Sequence, residues 1–297
     1  MRSTSKRRPS GAAISGIRIP TASPAGDRAV SGIRLRPALL LLLFAMLPAH
    51  ASLAIPPDEE PPAVETAEQE DPTRAVFFSI RDEFIQVDSD TWVNALIVRS
   101  DRAILRERPD WLAKTGILTR FDLPIVTSHR NDDTESGLGD LYAQAALVPW
   151  LTRRSAFVIG SGITVPTATD DSLGRGKWEV APVVVPAWFL PQRRGLFFVR
   201  LHDHLSFAGD DDRADVHFLE IVPTLIWNYR PGWWTLLTSP VIVDWENGGS
   251  TRQSTGIEIG HVVRRRWGVA VKPELFWGSN RAGDWKVTFS VTRYRRK

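Results

Sequence analysis

The segment WGVAVKPELFW, residues 267–277, decides the fold. Its indoles, Trp267 and Trp277, stand ten residues apart, and Val269, Val271 and Leu275 fall on their side of an alternating pattern. Lys272 and Glu274 take the opposite side. Trp178 and Trp188 repeat the ten-residue spacing, and Trp233 and Trp245 are twelve apart. An even separation keeps both side chains on one face of a strand, because strand side chains alternate with period two. Ten residues at about 3.3 Å rise, tilted by roughly 40°, climb about 25 Å. That is the height of the apolar band on an outer-membrane barrel, bordered at both water interfaces by aromatic girdles. An indole suits such a border, being mostly apolar with one N–H that seeks a polar partner. Trp150, Trp178, Trp188, Trp227, Trp233, Trp245, Trp267, Trp277 and Trp285 are the candidates for these girdles. The competing reading is a soluble β-sandwich with core tryptophans. Its strands are usually shorter, and nothing there calls for tryptophan at both strand ends.

The N-terminus reads as an export signal over residues 1–51. Arg2, Lys6, Arg7, Arg8, Arg18, Arg28, Arg34 and Arg36 make a basic start, and an apolar stretch runs from Ala38 to Leu47. That stretch is too short to span a bilayer, and Ala49-His50-Ala51 offers a small-x-small cleavage pattern. The long basic start also fits translation beginning downstream of Met1. Removing residues 1–51 takes away eight basic side chains and Asp27, leaving 29 basic against 33 acidic residues. The pI near 9.4 is therefore no argument for nucleic-acid binding. Cysteine is absent, which excludes thiol catalysis and cysteine-ligated metals. Beyond the signal no run of 18 apolar residues occurs. A membrane location then requires a closed barrel, because only helices and barrels satisfy every backbone group in lipid. Residues 52–74, rich in Pro, Glu and Ala, read as a disordered periplasmic lead-in.

Residues 75–297 hold twelve strand candidates, near 75–87, 92–105, 115–127, 139–150, 155–166, 177–189, 195–208, 214–229, 233–246, 253–264, 267–278 and 284–294. The predicted fold class is all-β, a transmembrane antiparallel up-and-down barrel of about twelve strands, with both termini in the periplasm. The connections alternate in kind. Residues 131–135, 169–171 and 209–212 are acidic and read as longer outer loops. Thr152-Arg153-Arg154, Gln192-Arg193-Arg194, Arg230-Pro231-Gly232 and Arg264-Arg265-Arg266 are basic and short. The acidic loops read as solvated, with divalent-cation binding as the alternative. Pro182, Pro186, Pro223, Pro240 and Pro273 resist this scheme, since each removes a ladder donor inside a strand. They call for bulges, kinks or different strand limits. Asp203 falls on an apolar face and should lie near an interface. Arg99 and Asp101 share one face of the second strand while Arg102 takes the other.

Four segments resemble a known group. Ser136-Gly137-Leu138-Gly139-Asp140-Leu141 resembles a "GLGD" strand opening in an outer-membrane family associated with meta-pathway phenol degradation and related transporters. Residues 165–178, VPTATDDSLGRGKW, resemble that family's P-T-A/G…G-x-G-K-W loop. Residues 207–216, and Thr238-Ser239-Pro240 followed by Asp244-Trp245, are similar to further recurring segments. The resemblance spans roughly residues 115–294. It implies an outer-membrane barrel of a Gram-negative cell that serves as a porin-like channel or uptake route for small molecules, aromatic or hydrophobic compounds among them. It also implies tolerance of strand prolines. Its expected partners are the lipid bilayer, the outer-membrane assembly machinery and a small solute. Tyr294, followed by Arg295-Arg296-Lys297, is the residue that would stand for the terminal aromatic read by that machinery.

The inferred lumen set is Arg81, Glu83, Arg120, Asp122, Asp140, Tyr142 and Gln144 from the first strands, with Arg200, His202, His204, Glu220, Lys272, Glu274 and Lys286 from the later ones. Both charge signs occur, so these residues either line a water-filled path or plug a narrow barrel with ion pairs. Charge on the lipid side would cost roughly 2–4 kcal/mol at the midplane for Arg or Lys, which places them inside. His202, Asp203, His204, Asp210–Asp212 and His217 form the one cluster with catalytic or metal potential. Its alternative is a hydrogen-bonded polar lining. No catalytic residue, metal or cofactor is assigned, since G-x-S-x-G, H-E-x-x-H and P-loop motifs are all missing. The expectation is a non-enzymatic channel, with a rim-site hydrolase or a plugged structural barrel as alternatives. Gly174 and Gly176 read as hairpin-loop glycines. Gly160, Gly162, Gly256 and Gly260 point inward, to widen a passage or, on the preferred reading, to ease coiling.

Overall fold

The computed structural model describes residues 13–14, 17–18, 77–104, 116–191, 194–264 and 266–294. The export signal over 1–51 and the lead-in over 52–74 lie outside these residues, apart from a small ladder that pairs Ala13–Ile14 with Ile17–Arg18.

The described chain from Phe77 to Tyr294 forms twelve spanning strands: β1 (Phe77–Gln86), β2 (Thr91–Ile104), β3 (Ile117–Arg130), β4 (Asp133–Leu138 continued by Leu141–Leu151), β5 (Ser155–Val165) and β6 (Lys177–Phe189). The second half is β7 (Gly195–Gly209), β8 (His217–Arg230), β9 (Trp233–Thr238 continued by Val241–Asp244), β10 (Ser250–Val263), β11 (Trp267–Trp277) and β12 (Trp285–Tyr294). Each strand pairs antiparallel with its neighbours in sequence, and β12 pairs with β1 through Trp285↔Gln86 to Tyr294↔Phe77, so the sheet closes on itself. Closure removes both edges, so no free row of ladder groups faces lipid.

Period-two alternation separates the two faces. On β11 and β12, Trp267, Val269, Val271, Leu275, Phe289 and Val291 are exposed, whereas Glu274, Thr288, Ser290 and Thr292 are buried. The outer face carries many exposed large apolar side chains, among them Phe78, Phe121, Ile125, Ile159 and Phe197. All nine candidate girdle tryptophans are exposed, from 37% at Trp178 to 59% at Trp150. Trp150, Trp188, Trp227, Trp233 and Trp267 stand at the strand ends on the side of Phe77 and Tyr294, and Trp178, Trp245, Trp277 and Trp285 stand at the other end. Trp92 joins the second row, stacked between Phe84 and His129. Trp150 is out of phase with its own strand. It reaches the outer face because the register slips between Leu147↔Ile159 and Trp150↔Phe157, a bulge at Val148-Pro149.

The prolines sit where rungs are missing rather than at misassigned strands. Pro223 faces the break in β9, where Ser239 N–H donates to Pro223 O at 3.3 Å. Pro124 faces the break in β4 in the same way, with Gly139 N–H on Pro124 O at 3.0 Å. Pro182 and Pro186 flank the rungs Val183↔His202 and Val184↔Leu201, with gaps in the β6–β7 ladder on either side. One predicted loop is corrected. Residues 131–135 are not a long acidic loop: Asn131 and Asp132, with φ of 45° and 73°, form a two-residue turn, and β4 resumes at Asp133. Positive φ at both central residues is the conformation of the tight hairpin turn that matches strand twist.

Candidate functional site

The bore divides into an apolar end and a polar middle. Near the termini, Leu118, Val148, Val158, Val185, Phe198 and Ile226 are buried in one cluster that includes Tyr294. Trp234 lies beside it, 1% exposed, its Nε1 donating to Glu258 Oε1 at 2.8 Å. A Cβ at Gly260 would run into the Trp234 ring, and one at Gly162 into Tyr142. These inward glycines therefore make room for rings lying across the wall, not for a wider passage.

The residues of the inferred lumen set are all buried or half-buried. Arg99 meets Asp122 with two bonds of 2.7 Å, and Arg120 meets Asp101 at 2.9 Å; both pairs are direct rungs of the β2–β3 ladder. Arg99 and Asp101 therefore both point inward. On the adjoining strands β10 to β12 Glu274 accepts from Ser254 Oγ at 2.7 Å and pairs with Lys286 at 3.4 Å and Lys272 at 3.7 Å. Glu83 takes Arg81 at 3.4 Å and Lys286 at 3.9 Å. Removing one member of such a network leaves buried like charge unpaired, which typically costs 3–5 kcal/mol. Glu274→Gln is expected to lower the temperature of heat-induced unfolding on semi-native gels, and adding Lys286→Met to restore most of the loss.

The third wall carries a denser chain. Arg175 Nη1 bonds both oxygens of Glu179 at 2.9 Å and its guanidinium covers the Phe218 ring at 4.8 Å. Glu179 Oε2 lies 3.4 Å from His204 Nδ1, His204 Nε2 lies 3.3 Å from His202 Nδ1, and His202 Nε2 lies 3.1 Å from Tyr142 Oη. Tyr142 comes from β4 and His202 from β7, so this chain reaches across two intervening strands. Among the described residues Arg175 has no hydrogen-bond partner for Nε and Nη2, nor Arg252 for Nε and Nη1.

The predicted catalytic cluster does not assemble. His202 and His204 point into the bore, whereas Asp203 points outward, 3.7 Å from His217, whose ring lies near Trp245 of the girdle. Asp210 stays in the β7–β8 loop, accepting from Asp212 N–H at 3.0 Å. Alternation alone parts Asp203 from its two histidine neighbours.

The feature that sequence reasoning missed is the β5–β6 loop, residues 166–176, which folds into the barrel. Leu173 has no exposed surface and packs against Val93, Ala95 and Val126 on the inner walls of β2 and β3. Asp140, at the break in β4, holds the loop with both oxygens: Ala168 N–H donates to Oδ1 at 3.1 Å and Arg175 N–H to Oδ2 at 2.6 Å. Thr167 Oγ1 donates to Gly139 O at 2.9 Å, and Thr169 N–H to Leu138 O at 3.0 Å. Arg213 from the β7–β8 loop donates to Asp171 O at 2.9 Å and Gly174 O at 3.2 Å. A Cβ at Gly137 would strike Thr169, and one at Gly139 would strike Val126 and Pro124. The acidic residues at the loop tip are occupied locally. Asp170 accepts from Ser172 N–H and Oγ, which holds its carboxyl below the usual carboxylate range. Three of the segments quoted above, 136–141, 165–178 and 207–216, thus meet at one place.

Residues 110–197 match the family model described as "Putative MetA-pathway of phenol degradation". No curated protein matches the chain. The outer membrane channel from Pseudomonas putida F1 superposes with a TM-score of 0.63 at 13% identity, covering 82% of this chain and 100% of that one. The NanC porin superposes at 0.52 and the KdgM porin at 0.50, each at 7% identity over 74% of this chain and 100% of theirs. The chain therefore has the fold of outer-membrane channel barrels and, across residues 110–197, the sequence signature of the family that its GLGD and P-T-A segments resemble.

Proposed function

We propose that this chain is an outer-membrane channel for uptake of small molecules, restricted by its own inward-folded loop. The observation that carries the reading is the pairing of a sealed apolar outer face with an inward face lined by ion pairs and entered by residues 166–176. A plain structural barrel needs no loop seated among its inner walls. The two water boundaries fall at the tryptophan rows. Both termini face the periplasm, the short basic turns lie with them, and residues 1–51 direct export. Tyr294 is the aromatic offered to the assembly machinery before its ring packs inside the barrel.

The bore chemistry suits solutes with an apolar body and a hydrogen-bond acceptor or anionic group. The inward face carries apolar side chains at one end, Leu118, Phe198 and Ile226 among them, and the Arg175 and Arg252 guanidinium groups elsewhere, the two kinds of surface such a solute needs. Aromatic and hydrophobic compounds fit this description. A rim-site hydrolase is disfavoured because its aspartates and histidines part to opposite faces.

Planar-bilayer recording and liposome flux with purified protein test the reading. Discrete conductance steps and passage of a small aromatic acid are expected. Folded, inserted protein that is silent in both assays would reject the channel.

A further inference from the structure

We propose that His202, His204 and Glu220 form a binding site for one divalent transition-metal ion, of the zinc, cobalt or nickel class, inside the bore. The three side chains bring one donor atom each to within 4.8 Å of one another. His202 and Glu220 are direct rung partners on β7 and β8, so the backbone itself sets their spacing. His202 Nδ1 and His204 Nε2 face each other at 3.3 Å. Metal–nitrogen bonds of 2.0–2.1 Å at a tetrahedral angle put two ligand nitrogens about 3.3–3.4 Å apart.

Proton accounting makes the juxtaposition specific. Tyr142 Oη donates its single proton to Gln144 Oε1 at 2.8 Å. It must therefore accept from His202 Nε2, 3.1 Å away. When the one N–H of neutral His202 serves Tyr142 Oη rather than the Ala181 carbonyl that also faces the ring, Nδ1 keeps its lone pair. His204 Nδ1 lies 3.4 Å from Glu179 Oε2, a carboxylate oxygen that can only accept. In its neutral form His204 therefore carries its proton on Nδ1, and its Nε2 also presents a lone pair. Two lone pairs aimed at one point repel unless a cation lies between them.

Glu220 supplies the third ligand. Its Oε2 is 3.9 Å from His202 Nδ1 and is steadied by Arg200 at 2.9 Å. The supporting contacts have the form that metal sites use, in which each ligating histidine donates its other N–H to a carboxylate or comparable acceptor. Glu179 does this for His204 and Tyr142 for His202. Three protein ligands leave a fourth position open to water or to a solute in the bore.

The test uses the full-length chain in detergent, purified without a polyhistidine tag and stripped with a chelator. Cobalt(II) alone is titrated while its visible absorption is followed, and zinc(II) is then added in competition. One cobalt ion per chain, with an intense low-symmetry d–d band displaced by zinc, is expected. His202→Ala with His204→Ala should abolish it, and Glu179→Gln should weaken binding roughly 10–100-fold. His217→Gln, on the outer face, should leave it unchanged. Heat-modifiable gel migration shows which variants are folded, and Glu220→Gln and Glu179→Gln serve if the double variant is not. Folded wild-type protein that takes up no stoichiometric cobalt would overturn the site. So would equal affinity in the folded histidine or carboxylate variants, leaving a shared proton as the link between the rings. Binding is read directly, so a silent channel would not decide it.

Discussion

Asp140→Ala is expected to release the 166–176 loop from the bore and raise the conductance of the barrel. Both carboxylate oxygens hold backbone N–H groups of that loop, Ala168 at 3.1 Å and Arg175 at 2.6 Å. Hydrogen bonds to a charged acceptor contribute about 1.5–3 kcal/mol each, so alanine forfeits about 3–6 kcal/mol of local attachment. Burial of Leu173 and the two carbonyls held by Arg213 remain, and they stabilise the loop more weakly than the full set does. Since 1.4 kcal/mol is a tenfold change, the population with the loop released should rise by at least about tenfold. Two readouts follow that population: single-channel conductance, and trypsin cleavage after Arg175 in reconstituted protein. Asp140→Asn keeps one acceptor and should fall between alanine and wild type. A folded alanine variant with wild-type conductance and unchanged trypsin resistance would mean the loop is no restriction.

Phe289→Arg is expected to be among the most damaging single changes on the outer face. Phe289 is 57% exposed, among Trp285, Val287 and Val291 on the same side of β12. A large apolar side chain this exposed is unremarkable beside lipid and costly beside water. Arginine at the midplane of a barrel costs about 2–4 kcal/mol. The measurement is the denaturant midpoint for folding into lipid vesicles, with Phe289→Leu as the reference. Equal midpoints for the two variants would place this face in water.

Much of this fold is legible because a barrel writes its pattern locally. Alternation along Trp267–Trp277 and Trp285–Tyr294 is enough to assign faces, and the inward position of Lys272, Glu274 and Lys286 follows from it. What escaped depends on contacts between distant segments. Leu173 is one apolar residue in an acidic loop, and only its fit opposite Gly137 and Gly139 shows where it goes. Trp150 needs a bulge to reach the outer face, and a proline at position 149 marks a place for one without specifying it. Trp234 follows Trp233 directly, and alternation alone sends it inward onto Gly260. The Asn131–Glu135 loop looked long because acidic residues are read as loop, whereas two consecutive left-handed residues turn the chain at once.

The central claim is a closed barrel with lipid outside and water-accessible polar residues within. The chain has no native cysteine, so single cysteines carrying nitroxide labels report cleanly. Labels at Val271 and Phe289 are to be compared with labels at Lys272 and Gln144 in reconstituted protein, using collision with oxygen and with a water-soluble nickel chelate. The account predicts high oxygen and low nickel accessibility at 271 and 289, and the reverse at 272 and 144. Equal nickel accessibility at neighbouring positions 271 and 272 would contradict it.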